Sequence, residues 1–249
     1  MNGHVTSSLV SALDADRGVT CVVGAGGKKS TLYALAERID RAIVTSTVRI
    51  PPFERHVDSV RVTDDPIAAV RESPRWPVGL VAARDGPDRY RGYDPRVVDD
   101  LAAAVGEECA ILVKADGART RWLKAPKENE PQLPVSADTV VPIASVQAVG
   151  EPLDEGVVHR PERVASITGL DEGEAIRPEH VATILASERA GRKDVPADAT
   201  VVPMLNMADT PALERLGREI AAEVLDRTDV PRVVIARMIA DRPVVDVIR

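Results

Sequence analysis

Short apolar runs alternate with amphipathic stretches along most of this chain. Val19–Val23 is a compact apolar run ending in glycines, the form of a buried parallel strand. Ser30–Ile39 then takes helical spacing, with Leu32, Leu35, Ala36 and Ile39 on one face. Ala42–Thr45, Val60–Val62, Val78–Ala82, Cys109–Val113, Val140–Ile143, Thr200–Leu205, Val233–Ala236 and Val244–Ile248 read as further strands. Val5–Asp14, a segment opening at Asp65-Pro66, Arg96–Val105, Pro161–Thr168, Pro178–Ser187 and Pro211–Leu225 read as helices. Such alternation predicts an α/β fold, a mostly parallel sheet with helices on both faces. Ligands of such sheets bind beyond the carboxyl ends of the strands. The segments after Val23, Thr45, Val113 and Leu205 are therefore expected to converge on one site. Between Asp116 and Pro134 the chain is polar, proline-interrupted and without period, as in a functional or mobile loop.

The 249 residues suffice for one large α/β domain, and a single domain over 1–249 is expected. No apolar run approaches the roughly 20 residues that span a bilayer. Met1–Val5 lacks the basic head and apolar core of a secretory signal, so no membrane association and a cytoplasmic location are expected. A net charge of −7 gives no basic footprint for nucleic acid. Cys21 and Cys109 each open an apolar run and read as buried small hydrophobes. Of the 32 basic residues only six are lysine, and Lys28, Lys29, Lys114, Lys124 and Lys127 fall in two short segments. In a chain that otherwise uses arginine, those segments are where chemistry is expected.

The first segment is Gly24-Ala25-Gly26-Gly27-Lys28-Lys29-Ser30-Thr31, with strand before and helix after. Glycines let amides approach a phosphate, the helix adds its positive end, and a lysine neutralises the oxygens. A glycine-rich turn without a ligand is the plainer alternative. Two registers are open. Lys28 follows Gly27 correctly but precedes Lys29 where a metal-binding hydroxyl belongs; Lys29 precedes Ser30 correctly but follows Lys28 where glycine belongs. Lys28 is favoured, with Ser30 or Thr31 as the Mg²⁺ ligand. Asp116-Gly117 follows a buried strand, where an acidic group would hold Mg²⁺ in a nucleotide hydrolase. Asp-Gly is also a common turn. Arg119, Arg121, Lys124 and Lys127 around Trp122 form a basic patch for a second anionic ligand, or a solvated loop. His159-Arg160 could join it, or cap a helix. Asn206-Met207-Ala208-Asp209 has the outline of a guanine-reading motif with its lysine replaced.

Taken in order, Val23-Gly-Ala-Gly-Gly-Lys28, Val44-Thr-Ser-Thr47, Ala115-Asp-Gly-Ala-Arg119, Leu123-Lys-Ala-Pro126, Glu130-Pro131, Val158-His-Arg-Pro161 and Leu205-Asn-x-x-Asp209 resemble the YqeC family. Its members are described as accessory proteins of selenium-dependent molybdenum hydroxylases. The resemblance runs from about Val19 to Asp209. It implies a P-loop NTPase-like fold, ATP or GTP as ligand with Mg²⁺, and a molybdenum hydroxylase or its cofactor as partner. Thr45 and Thr47 would approach the metal or γ-phosphate, as in Mur-ligase-type sites. Lys28, Asp116 and Lys124 would be the catalytic set, Ser30 and Asp116 the metal ligands, and Asn206 and Asp209 would face the base. Two departures stand out, since the family usually has threonine at position 29 and glutamate at 114. Both replace a metal-friendly oxygen with a cation, which leaves nucleotide hydrolysis and a non-hydrolysing nucleotide- or molybdopterin-binding adaptor as the two expectations.

Overall fold

The computed structural model describes residues 8–249. Of the expected Val5–Asp14 helix, residues 5–7 lie outside them, as does the Met1–Val5 terminus with His4. What is described is α1 (Leu9–Ala12), capped by the Ser8 hydroxyl. The chain continues through β1 (Gly18–Gly24), α2 (Lys28–Ala36), β2 (Ala42–Ser46), β3 (Ser59–Val62), α3 (Pro66–Arg71) and β4 (Val78–Val81). β5 (Ala83–Arg84) and β6 (Tyr90–Arg91) make a small antiparallel pair before α4 (Pro95–Val105) and β7 (Ala110–Lys114). β8 (Leu123–Lys124), β9 (Ala137–Ser145), β10 (Val158–His159), α5 (Pro161–Thr168) and α6 (Pro178–Ala186) follow. The last elements are β11 (Thr200–Val201), β12 (Met204–Asn206), α7 (Pro211–Arg227), β13 (Val233–Ala236) and β14 (Val244–Ile248).

Ten strands form one sheet in the order β14-β13-β12-β9-β1-β7-β2-β4-β3, with β11 also on β9. Every pairing in it is parallel except β13–β14, which closes one edge antiparallel. This is the expected α/β architecture, consistent with a P-loop NTPase-like fold. β2 and β7 are buried along their whole length, which is why they read as continuous apolar runs. Alternate side chains divide between the faces. Val22, Val44, Leu112, Val141, Ile143 and Val234 pack with α1 and α2 on one side. Val19, Cys21, Val23, Ile43, Ile111 and Val113 meet α3 and α4 on the other, continued by Ala144, Leu205, Val233 and Ile235 against α5, α6 and α7. Both cysteines are free and buried, as expected. Among the described residues no helix is long and apolar enough to cross a membrane.

The helix starts follow local chemistry. Asp65, Asp94 and Thr210 accept amides of the first turns of α3, α4 and α7, each with proline just inside. Two boundaries differ informatively from the sequence pattern. The run Thr200–Leu205 is split into β11 and β12 at Pro203. Val140 accepts from the Val202 amide on that side, whereas Ile143 accepts from Ala25 on the other. Pro142 therefore faces the same gap as Pro203, and neither missing donor interrupts the β1 ladder. The 116–134 segment is also less free than its composition suggests. Leu123–Pro126 are buried, and β8 pairs in parallel with β10.

Leu112 is fully buried in the middle of β7, between β1 and β2, while Ile239 is 89% exposed. Leu112→Ala should cost about 2–5 kcal/mol in urea unfolding, and Ile239→Ala should stay within about 0.5 kcal/mol. Equal costs would contradict this placement of the core.

Candidate functional site

At its carboxyl end β1 passes through Gly24-Ala25-Gly26-Gly27 into α2. Gly24, Gly26 and Gly27 have φ of 86°, 85° and 137°, open to glycine at little cost. A Cβ on Gly27 would collide with the Asn206 side-chain amide, and one on Gly24 with the Ile143 carbonyl. The first half of the loop spends its amides on the protein. Gly24 donates to Asp116 Oδ2 at 2.9 Å, Ala25 to the Ile143 carbonyl at 2.8 Å, and Gly26 to the Arg121 carbonyl at 2.9 Å. The next four amides, Gly27, Lys28, Lys29 and Ser30, have no hydrogen-bond partner among the described residues. They are the free donors of a helix N-terminus. Asn206 fixes the turn, giving its Nδ2 to the Gly26 carbonyl at 2.7 Å and accepting the Met238 amide at 3.1 Å.

Beneath the loop runs a buried chain of charges. Lys28 Nζ lies 2.9 Å from Asp116 Oδ1 and also donates to the Gly24 carbonyl. Lys124 Nζ lies 2.7 Å from Asp116 Oδ2, 2.7 Å from Glu130 Oε2 and 2.6 Å from the Gly117 carbonyl. Glu130 in turn accepts from the two terminal guanidinium nitrogens of Arg160, at 2.9 and 3.1 Å. Burial pushes the Asp116 carboxyl up, but the ammonium groups of Lys28 and Lys124 outweigh it and hold it below its usual range. Burial acts likewise on Glu130, and Arg160 and Lys124 again win.

Above the loop is a cavity of about 410 Å³. α2 supplies Lys28, Lys29 and Ser30, preceded by Gly26 and Gly27; the segment after β2 supplies Arg49 and Pro51. Lys114 and 117–121 come from β7 and beyond, Met207 follows β12, and Arg89 completes the wall. The four expected strand ends do converge. Among the described residues no carboxylate lines this cavity. Lys29 is half-buried, and neither it nor Arg119 is in a salt bridge among the described residues. Lys114 is buried and donates to the Arg49 carbonyl at 2.9 Å. Burial, then the charge of Lys28, lowers its pKa to about 7. A second cavity, of about 230 Å³, shares Arg119 and Arg121 and adds His159, Arg160, Glu155 and Glu162. Burial, then Arg160, lowers the His159 pKa to about 4, so its imidazole is neutral at pH 7.

Several placements differ from the sequence expectations. The favoured phosphate lysine, Lys28, contributes to the cavity wall, but its ammonium is turned down onto Asp116 and the Gly24 carbonyl. An i→i−4 reach back along the helix start allows this. Lys29 stays at the cavity instead. Asp116 was expected at a metal, yet its carboxylate is filled by two ammonium groups and the Gly24 amide. Lys124 is buried in the same chain, outside the cavity. Thr31 Oγ1 bonds the Gly27 carbonyl at 3.0 Å, Thr45 Oγ1 the Leu80 carbonyl at 2.8 Å, and Thr47 Oγ1 the Gln132 carbonyl at 2.6 Å. None of the three lines the cavity. Asn206 braces the loop through the Gly26 carbonyl and the Met238 amide, and Asp209 accepts from Gln147 Nε2 at 3.0 Å. Ala25 is buried under the turn. Arg49 and Arg89 were missed; the rule of converging strand ends could have drawn attention to Arg49, two residues past Thr47. Among the described residues no group of three or more His, Cys, Asp and Glu could hold a metal ion. Asp116 Oδ1 makes no hydrogen bond but faces the Lys28 ammonium, and Ser30 is the one expected ligand left in a cavity wall without carboxylates, so the residues present do not fit a resident Mg²⁺.

Fold and site together define an α/β protein with a cation-lined cavity over the helix start that follows a central parallel strand. The YqeC protein family model matches residues 20–162. The uncharacterized protein YqeC of Escherichia coli (strain K12) is 30% identical over 209 residues, covering 80% of each chain. The chain belongs to the YqeC family.

Removing the shared counter-ion tests the buried chain of charges. Asp116→Asn leaves two buried ammonium groups short of a partner and should cost about 3–5 kcal/mol at pH 7. Because the folded-state pKa of Asp116 is depressed below 3.8, its stabilisation is present above that value and is lost as pH falls through the folded pKa. The deficit of the variant should therefore hold down to pH 4 and shrink below it in denaturant titrations. A deficit independent of pH would contradict the ion-pair account.

Proposed function

We propose that this YqeC-family protein binds the phosphates of a nucleotide, ATP or GTP, in the cavity over α2, without a resident Mg²⁺. The observation that carries this reading is the pairing of four partnerless amides, at Gly27, Lys28, Lys29 and Ser30, with a wall of cations and no carboxylate. Amides at a helix start favour anions through geometry and dipole together. Lys29 and Arg119 supply charge that no acidic side chain compensates, so they do for the phosphate oxygens what Mg²⁺ does elsewhere. A nucleotide bound this way is held rather than hydrolysed, since Asp116 and Lys28 neutralise one another below the loop. The smaller cavity, joined through Arg119 and Arg121, offers a place for a second anionic group, with Arg160 and a neutral His159 on its wall. The role as accessory to a selenium-dependent molybdenum hydroxylase, or as a carrier of its cofactor, rests on the motif resemblance from Val19 to Asp209.

Calorimetric titration with ATP and with GTP, in EDTA and in Mg²⁺, tests the reading. Binding should be retained in EDTA, and Lys29→Ala should weaken it by about ten-fold or more, the worth of one charge-assisted contact. A strict requirement for Mg²⁺, or no binding of either nucleotide, would sink it.

A further inference from the structure

We propose that Met207 faces the base of a nucleotide seated in the cavity over α2, so that the site accepts nucleoside polyphosphates whatever their base. This deepens the reading of that cavity as a phosphate seat and rests on it. β12 lies two strands from β1, and the turn that ends it carries Asn206, Met207, Ala208 and Asp209. In that turn the groups able to read a base edge are already engaged. Asn206 donates its amide to the Gly26 carbonyl at 2.7 Å and accepts the Met238 amide at 3.1 Å. Asp209 accepts from Gln147 Nε2 at 3.0 Å and lies outside the cavity wall. Met207 is what the turn presents to the cavity, and among the described residues it is the long apolar side chain of that wall.

Its place beside the phosphate seat is fixed from two sides. Asn206 packs directly on Gly27, and Ser145, at the end of β9, packs on Gly26. Met207 Sδ lies 3.2 Å from Ser145 Oγ, so the thioether stands next to the Gly26-Gly27 turn and the free amides that follow it. Both share the one space of about 410 Å³. A polyphosphate is drawn to those amides, Lys29 and Arg119, which leaves the apolar ring for the thioether. The backbone points the same way. Met207 holds φ at 63°, and Arg119 and Thr120 in the same wall hold 47° and 62°. Side chains enter this left-handed region at a cost, and such residues cluster at ligand sites. Contact with a ring face is tolerant of sequence because every base has one, whereas edge reading separates bases by orders of magnitude.

The test follows the methionine methyl signals of the full chain by NMR in EDTA, with ATP, GTP, CTP, UTP and pyrophosphate as probes. The chain has four methionines, and Met204, buried in the core, serves as an internal reference. The Met207 methyl should move upfield with each nucleotide, under the ring current of the base, and not with pyrophosphate. The four nucleotides should bind within about ten-fold of one another. Glycine takes the Met207 backbone conformation freely. Met207→Gly should weaken ATP and GTP by about three- to ten-fold and leave pyrophosphate unchanged, while Met207→Leu should bind as the parent does. A wider spread among the nucleotides, an equal loss of pyrophosphate in Met207→Gly, no loss at all, or no upfield shift would overturn the inference. If pyrophosphate binds and one of these results is found, this inference falls and the phosphate seat stands. If neither pyrophosphate nor any nucleotide binds, both fall.

Discussion

The Asp116 carboxylate holds together parts of the chain that are far apart in sequence. One oxygen accepts the Gly24 amide and meets Lys124; the other meets Lys28. Through these contacts the end of β1, the first turn of α2, the chain just past β7 and β8 itself share a single anion. Lys124 extends the tie to Glu130, and Arg160 carries it to the start of α5. An unpaired charge at this depth would be very costly, so the cluster must close on itself. Closing it is what turns Lys28 inward. It leaves the four amides of the helix start and the outer cations facing the cavity, with no acidic group between them.

That arrangement gives the site its character. Most phosphate loops share the anion's charge between a lysine and a metal held by nearby oxygens. Here Asp116 faces two ammonium groups, and the hydroxyls of Thr31, Thr45 and Thr47 go to backbone carbonyls, which leaves Ser30 as the one expected metal ligand in the cavity wall. Asn206 and the close approach at Gly27 fix the turn from the other side, so the free amides keep their direction before any ligand arrives. Such preorganisation is what makes a polar site effective, because little reorganisation remains to be done on binding.

Much of this frame was legible in the sequence. α5, β13 and β14 occupy the expected residues, and the strand ends expected to converge do so, because burial pattern and proline position fix backbone elements strongly. The destinations of side chains were not legible. Spacing places Lys28 and Lys29 side by side at a helix start, but which one reaches the cavity depends on Asp116, some ninety residues later. Thr45 lies at the right strand end, yet its hydroxyl bonds sideways to β4. Asn206 stands where a base-reading residue would, but the glycine loop packs directly on it. In each case a long-range partner decides, and local pattern carries no record of it. The anchors of the 116–134 segment were not legible for the same reason, since they are charges and the short β8–β10 pairing.

The central claim is that the helix start after β1 receives an anion without a metal. Amide chemical shifts of isotope-labelled protein, titrated with pyrophosphate in EDTA, test it most directly. The account predicts saturable shifts concentrated at Gly27, Lys28, Lys29 and Ser30, with Gly24 and Ala25 moving far less because their amides are already bonded. Shifts that need Mg²⁺, or that spare the first turn of α2, would contradict it.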